Sequence, residues 1–445
     1  MQGKKQGEPR LFYTVNTESI IPQDHAVRRI AEILDLTFLY EETKPYYSHE
    51  GKPSIDPVVI FKLHVLAYFF NIPSERKLMQ EVRVNLAYRW YLGYDIDEAI
   101  PDHSILSKAR ARFPEEVFTC VFVRIIRLCK ERGLISGETH FIDSSLIRAD
   151  ASKESFSVSL PDPHEFMNSF SLTHEKQDNG KRSYTFDGIV DPEHMGRRRD
   201  RERKSQKIQS STDPHAQLIT RPGKGTFPAY KAHLCVDRRQ RVILSVNGTA
   251  ATDDDMSAID PLLSRASMVA GRLPNTVVAD SHYGGIEALK YYQDRGIATC
   301  IHPRIADNRK GMLRNTDFRI SPDEHDCYCP ANKCAIKKVN NKFRIQFRFS
   351  SHDCQACPLR LKCTDSPHGR MITYYRGGYF SRASDLTNSA RGRRLLSARQ
   401  VIIEGVIGEA KTSHGLSRCR YRGLVKFQLQ LLLTASVVNL KRLLK

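Results

Sequence analysis

The feature that most constrains this chain is a change of hydrophobic period near residue 135. Upstream, in "DPVVIFKLHVLAYFF" and "EVFTCVFVRIIRLCKERG", apolar residues recur at intervals of three and four, the spacing of one helix face. Downstream, "THFIDSSLIRA", "YKAHLCVD" and "RVILSVNGT" read as strands. The expected organisation is an all-helical N-terminal domain over 1–135 and a sheet-based domain over 136–445. Within the first, "IPSERKLMQEVRVNLAYRWYLGY" and "IPDHSILSKARARF" are short helices, with Ser74 and either Asp102 or Ser104 as N-caps. Such helices suit a helix-turn-helix-like DNA reader, and they equally suit any helical bundle.

Past residue 135 the order is strand, hairpin, helix ("MSAIDPLLSRASMVA"), strand ("NTVVAD"), helix ("IEALKYYQDRG"), strand ("IATCIHP"). Alternation of this kind implies an α/β layer with parallel pairing. The order is that of an RNase H-like fold, a mixed sheet flanked by helices. Two insertions interrupt it. A basic polar one, 152–225, contains "RRRDRERKSQK" and lacks the apolar residues for a core; Arg197, Arg198 and Arg199 within it would neutralise phosphates. A cysteine-rich one spans 304–384.

The formal net charge of +19 creates a field that attracts polyanions, of which nucleic acid is the commonest large example in a cell. No N-terminal segment has the basic, apolar and small-residue order of a signal peptide. Apolar runs such as "LQLLLTASVVNL" fall short of the roughly 20 residues that span a bilayer, and a cytoplasmic, nucleoid-associated protein is expected. Eleven cysteines in a reducing compartment then point to metal where they cluster, not to disulfides.

Cleaving or transferring a phosphodiester on such a sheet requires hard oxygen ligands that converge on divalent cations. Asp143 stands mid-strand between apolar neighbours, where a carboxylate is costly to bury without a partner or a cation. Asp150, seven residues later, reads as a surface acid. Asp280 follows the apolar strand "NTVVAD" at its carboxyl end, where open α/β sheets build sites, with Gly284 and Gly285 allowing a turn. Asp253, Asp254 and Asp255 compete for this role, but they precede a helix and N-capping accounts for them. In "VIIEGVIGEAK", Glu404 and Lys411 fall within about 20° of each other on one helix face, and Glu409 about 140° from Glu404. Gly408 shares the face of Glu404, which suggests a close backbone approach. Glu404→Gln should abolish strand cleavage, and Glu409→Gln should be nearly silent.

The motifs "HFIDSSLIRADAS", "STDPHAQL" with "YKAHLCVD", "VVADSHYGG" and the terminal "IEGVIGEAKTSHGLSRCRYRGLVKFQLQLLLTASVVNLKRL" resemble those of DDE transposases of bacterial insertion sequences. "GKPSIDPVVIFKLHVLAYFFNIPSERKL" resembles the helical domain that precedes their catalytic core. The resemblance implies a metal-dependent polynucleotidyl transferase with Asp143, Asp280 and Glu404 as its acidic triad. It also implies magnesium, for which manganese substitutes, in a two-metal site. Its partners would be double-stranded DNA, as element inverted repeats and target, and its own copies, at least a homodimer in a synaptic complex. Related transposases carry a Tyr, Arg, Glu, Lys signature. Glu404 and Lys411 match its last two positions, whereas Ser397 and Gln400 stand at the Tyr and Arg positions, with Arg399 displaced by one. The alternatives are a DNA-binding derivative without catalysis and a host nuclease of the same fold.

"CYCPANKC" and "CQACPLRLKC" supply further ligands. Cys354 and Cys357 form a knuckle for structural zinc, with Cys363 third and Cys329 fourth; Cys327 and Cys334 are alternates. Past the terminal glutamates, Arg418, Arg420, Arg422 and Lys426 offer phosphate contacts, as would Arg399. The final apolar segment should form a core helix behind the sheet.

Overall fold

The computed structural model describes residues 16–48, 50–51, 54–158, 208–223, 225–304, 311–341 and 344–445. Arg197, Arg198 and Arg199 lie outside them. The helical part contains α1 (Pro57–Phe69) and α2 (Glu115–Glu131) among shorter helices. α1 starts where the Asp56 side chain accepts the Val58 amide and Pro57 enters the first turn without an N–H to satisfy. The Ser74 hydroxyl caps Glu75–Val84 by accepting from Lys77, and the Asp102 carboxylate accepts the Ser104 amide ahead of Ser104–Arg112.

The main sheet is built on β1 (Thr139–Arg148), β2 (Gly225–Asp237), β3 (Ile243–Ala250), β4 (Thr276–Val278) and β5 (Ala298–Cys300). The spatial order is β3-β2-β1-β4-β5, with β1, β2 and β3 antiparallel in turn and β4 and β5 parallel to β1. This is the expected RNase H-like arrangement. Helices α3 (Ile259–Ala270) and α4 (Ile286–Gln293) supply the crossovers to the parallel strands. α3 ends on Gly271, whose φ of 79° is the left-handed conformation glycine adopts without a Cβ clash.

Both insertions depart from their expected bounds. Gln217–Arg221, inside the basic polar stretch, is a strand of the main sheet paired with the start of β2. The cysteine-rich segment forms a separate antiparallel sheet of Lys337–Asn341, Arg344–Arg348 and Met371–Tyr375 around its own core of Phe318, Ile345, Phe347, Phe349 and Ile372. Tyr379–Asn388, α5, already packs back on β5, so the main fold resumes before residue 384. α6 (Ala390–Arg399), a π turn (Gln400–Glu404) and α7 (Gly405–Ser413) follow. Gly392 lets α6 begin this close to α5, since a Cβ there would stand 1.8 Å from the Leu386 carbonyl oxygen.

The last helix, α8 (Leu424–Leu443), lies between β3 and the N-terminal helices α1 and α2, and one hydrophobic core runs through all of them. Its Gln428 and Asn439 side chains serve the sheet's edge. Asn439 accepts from the Ile243 amide and donates to the Ile243 carbonyl, each at 2.8 Å, and Gln428 accepts from Gly248 at 2.8 Å. Among the described residues, no helix is long and apolar enough to cross a membrane. Asn439→Ala leaves both Ile243 groups unpaired in a buried place. It should cost about 2–4 kcal/mol, read as a lowered denaturation midpoint, and an unchanged midpoint would show that these bonds contribute nothing.

Candidate active site

β1 alternates its side chains, so Asp143 and Ser145 share one face and Ser144 takes the other. Phe141 pairs with Val278 in the parallel register of β1 and β4. Asp143, in the middle of β1, and Asp280, just past the end of β4, each lie two residues further on, and the charge of Asp280 is felt at Asp143. Asp143 is 7% exposed, and its carboxylate accepts from the Ser144 amide at 2.8 Å and from Arg399 Nη2 at 2.7 Å. Burial raises its pKa; Arg399 and the Ser144 amide oppose this, and the neighbouring charge of Asp280 reinforces it.

Asp280 is half-buried and accepts the His282 amide at 3.0 Å, so it caps the short turn Ser281–Tyr283 while facing Asp143. The Gly284 amide closes the Ser281 turn at 3.0 Å, but with a φ of −89° that turn does not need glycine's left-handed freedom. Glycine is there because a Cβ would stand 2.2 Å from the His302 carbonyl oxygen, at the place where the Arg304 amide bonds to Gly284.

Glu404 ends the π turn with its side chain 47% exposed, and Arg399 Nη1 stands 3.4 Å from it. A single guanidinium therefore bridges Asp143 and Glu404. Two turns on, Lys411 Nζ donates to Ser145 Oγ at 2.6 Å and to the Leu146 carbonyl at 3.3 Å, which lays α7 across the Asp143 face of β1. Gly408 does not mark a close approach: a Cβ would meet nothing within 4 Å. Among the described residues, no group of three His, Cys, Asp or Glu side chains is arranged to hold a metal ion.

Glu409 turns away from this face, as its phase requires, but it is not on a wet side. It pairs with Arg442 and, at 3.0 Å, with Lys441 of α8, fastening α7 to the core.

Sequence reasoning missed a polar cluster on the opposite face of β1. Asp255 is buried, with Ser144 Oγ at 3.1 Å, Lys231 Nζ at 3.3 Å and His233 Nδ1 at 3.6 Å. Only Asp254 acts as the helix cap. Burial pushes the His233 pKa down to about 4, partly offset by Asp255, so the ring is neutral at pH 7. The available signal was the i, i+2 spacing of Lys231 and His233 in "YKAH", which puts both on one strand face.

The terminal basic residues divide. Arg418 and Arg422 are exposed and share Asp150 as counter-ion, each at 3.1 Å, and Lys426 is exposed. Arg420 instead stacks on the Tyr68 ring at 4.2 Å and donates to the Ile72 carbonyl at 2.9 Å. That position fastens α8's approach to the N-terminal helices. Cys329, Cys354, Cys357 and Cys363 line one cavity of ≈ 30 Å³. The Lys333 amide donates to Cys329 Sγ at 3.3 Å and the Arg370 amide to Cys354 Sγ at 3.4 Å. Cys327 is buried in the segment's core and Cys334 is exposed near Asp326; neither lines the cavity.

The sheet thus brings Asp143 and Asp280 to adjacent strands and Glu404 to a following helix, and two comparisons with known families bear on what such a chain is. Residues 15–112 match the family model of a transposase domain (DUF772), and residues 328–444 match that of a transposase DDE domain. Both ends of the chain are thus similar to transposases, and the C-terminal end to the DDE domain of that class of DNA-cutting and DNA-transferring enzymes. No curated protein matches. A solved piggyBac transposase synaptic complex with hairpin DNA aligns with 95% of this chain and 80% of its own, at 10% identity and a TM-score of 0.27, a likeness that bears no weight here.

Burial raises the Glu409 pKa, but the hydrogen bonds from Arg442 and Lys441 outweigh it and leave the group below its ordinary value. Its stabilising contribution is therefore full above the unfolded pKa of about 4.3 and is lost as pH falls through the folded value. Glu409→Gln should lower stability by roughly 1.5–3 kcal/mol at pH 7. The gap from wild type should close on acidification, and a pH-independent difference in urea midpoints would count against the ion pair.

Proposed function

We propose that this protein is the transposase of an insertion sequence, binding the element's inverted-repeat ends as double-stranded DNA and catalysing metal-dependent strand cleavage and strand transfer. The observation that carries the reading is the gathering of Asp143, Asp280 and Glu404 on one face of the sheet at its central strands, with Arg399 between two of them. The donors fit hard divalent cations: three carboxylates, one of them buried and needing a counter-charge. Magnesium, or manganese in its place, would polarise the scissile phosphate there and lower the pKa of the attacking water or 3′-hydroxyl.

The chain's own groups set the rest. Asp143 is fixed within β1, and Asp280, two residues past the end of β4, is held by capping the Ser281–Tyr283 turn. Lys411, anchored on Ser145 and Leu146, puts positive charge beside the Asp143 strand, where a DNA phosphate would approach. Arg418, Arg422 and Lys426 extend the basic surface beyond α7 and suit flanking phosphates. Processing two element ends together calls for at least a homodimer. Asp143→Ala, Asp280→Ala and Glu404→Ala should each abolish magnesium-dependent nicking of a labelled element-end duplex. Wild-type nicking by any one of them removes that residue from the set.

The cysteine-rich segment is the second metal centre in this reading. Four thiols around one cavity, two of them accepting backbone N–H bonds, are donors suited to structural zinc. Cys329, Cys354, Cys357 and Cys363 would hold the ion and tie the loop ends of the small sheet together. Purified protein should contain about one zinc per chain, and Cys354→Ser or Cys357→Ser should lose it. Full zinc content in both variants would dismiss this ligand set.

A further inference from the structure

The π turn resolves the displaced arginine. In an uninterrupted α-helix, residues five apart point about 140° away from each other. A π turn closes its hydrogen bonds over five residues, so Arg399 and Glu404 come to the same face despite that spacing. The extra residue thus compensates the one-position shift of the arginine. Gln400 and Val401, inside the turn, are exposed.

What the re-registered guanidinium does follows from where it sits. It contacts Asp143 at 2.7 Å and Glu404 at 3.4 Å, and its side chain is only 21% exposed. Its Nε is buried and makes no hydrogen bond, so the bidentate geometry that would make this pair hard to separate is incomplete. The guanidinium already engages two of the three carboxylates that a shared cation would use. We propose that Arg399 is an exchangeable counter-ion: it holds the acids together while no metal is present and leaves when a divalent cation enters, so that site assembly and metal binding compete for the same carboxylates. The exchange replaces one positive charge with two, and no bond is made or broken in the chain.

The inference rests on the metal reading of the triad, and the test separates the two. Mn2+ is titrated into the full-length protein without DNA and bound metal is followed by electron paramagnetic resonance, for wild type, Arg399→Gln, Arg399→Ala and Asp143→Asn. Thermal melts identify folded variants, and Arg399→Gln, which keeps bulk and a donor, covers a failure of the alanine variant to fold. Removing the competing charge should tighten Mn2+ binding roughly tenfold or more. Unchanged or weaker binding in the folded arginine variant overturns the proposal. Wild-type binding by Asp143→Asn would instead remove the metal from the triad, and the proposed function with it. Deleting Gln400 converts the π turn to an α turn with Arg399 four residues from the glutamate, still on its face, and Mn2+ affinity should stay at the wild-type value. A rise in affinity there would refute the register argument.

Discussion

A carboxylate buried in the middle of a strand needs a counter-charge, and the way this chain supplies one to Asp143 governs the architecture around it. Desolvation disfavours its charged form and raises its pKa. The opposing charge comes from Arg399, more than 250 residues later. To bring it there, the chain must complete the sheet, pass through the cysteine-rich segment, return along α5 and α6, and lay α7 across β1. Lys411 on Ser145 and Leu146 secures the far end of that helix against the same strand.

α8 makes the placement rigid. It is apolar on nearly every side because it is covered on nearly every side, by β3 and by α1 and α2. Gln428 and Asn439 sit where the sheet's edge leaves backbone groups to satisfy, which is why they are tolerated in the core. Glu409 joins α7 to this helix, so the face of α7 that carries Lys411 toward β1 is braced from the other side. Arg420 and Tyr421 continue the brace toward the N-terminal helices through Tyr68 and Arg110.

Where periodicity carried the information, the sequence was legible: the strand order, the parallel placement of Asp143 and Asp280, and the phase that separates Glu404 from Glu409. Contacts between distant segments were not. That Glu409 is a brace, that Arg420 clasps Tyr68, and that Asp255 is buried among Lys231, His233 and Ser144 depend on which elements meet, and period says nothing of that. Gly284 and Gly408 show the same limit, because a glycine's reason lies in what a Cβ would touch. The first faces a carbonyl, and the second faces open space beside Glu404. The π turn is a different failure. One residue in excess within a helix shifts every phase assignment across it, so Arg399 appeared misplaced although it is in register.

The account stands on Asp143, Asp280 and Glu404 serving one ion-binding centre. The most direct measurement is anomalous diffraction at the manganese edge from crystals of the protein bound to an element-end duplex. The account predicts density coordinated by oxygen atoms of all three carboxylates, with Arg399 withdrawn from between Asp143 and Glu404. Manganese held elsewhere, or by Asp143 and Asp280 while Glu404 remains on Arg399, would contradict it.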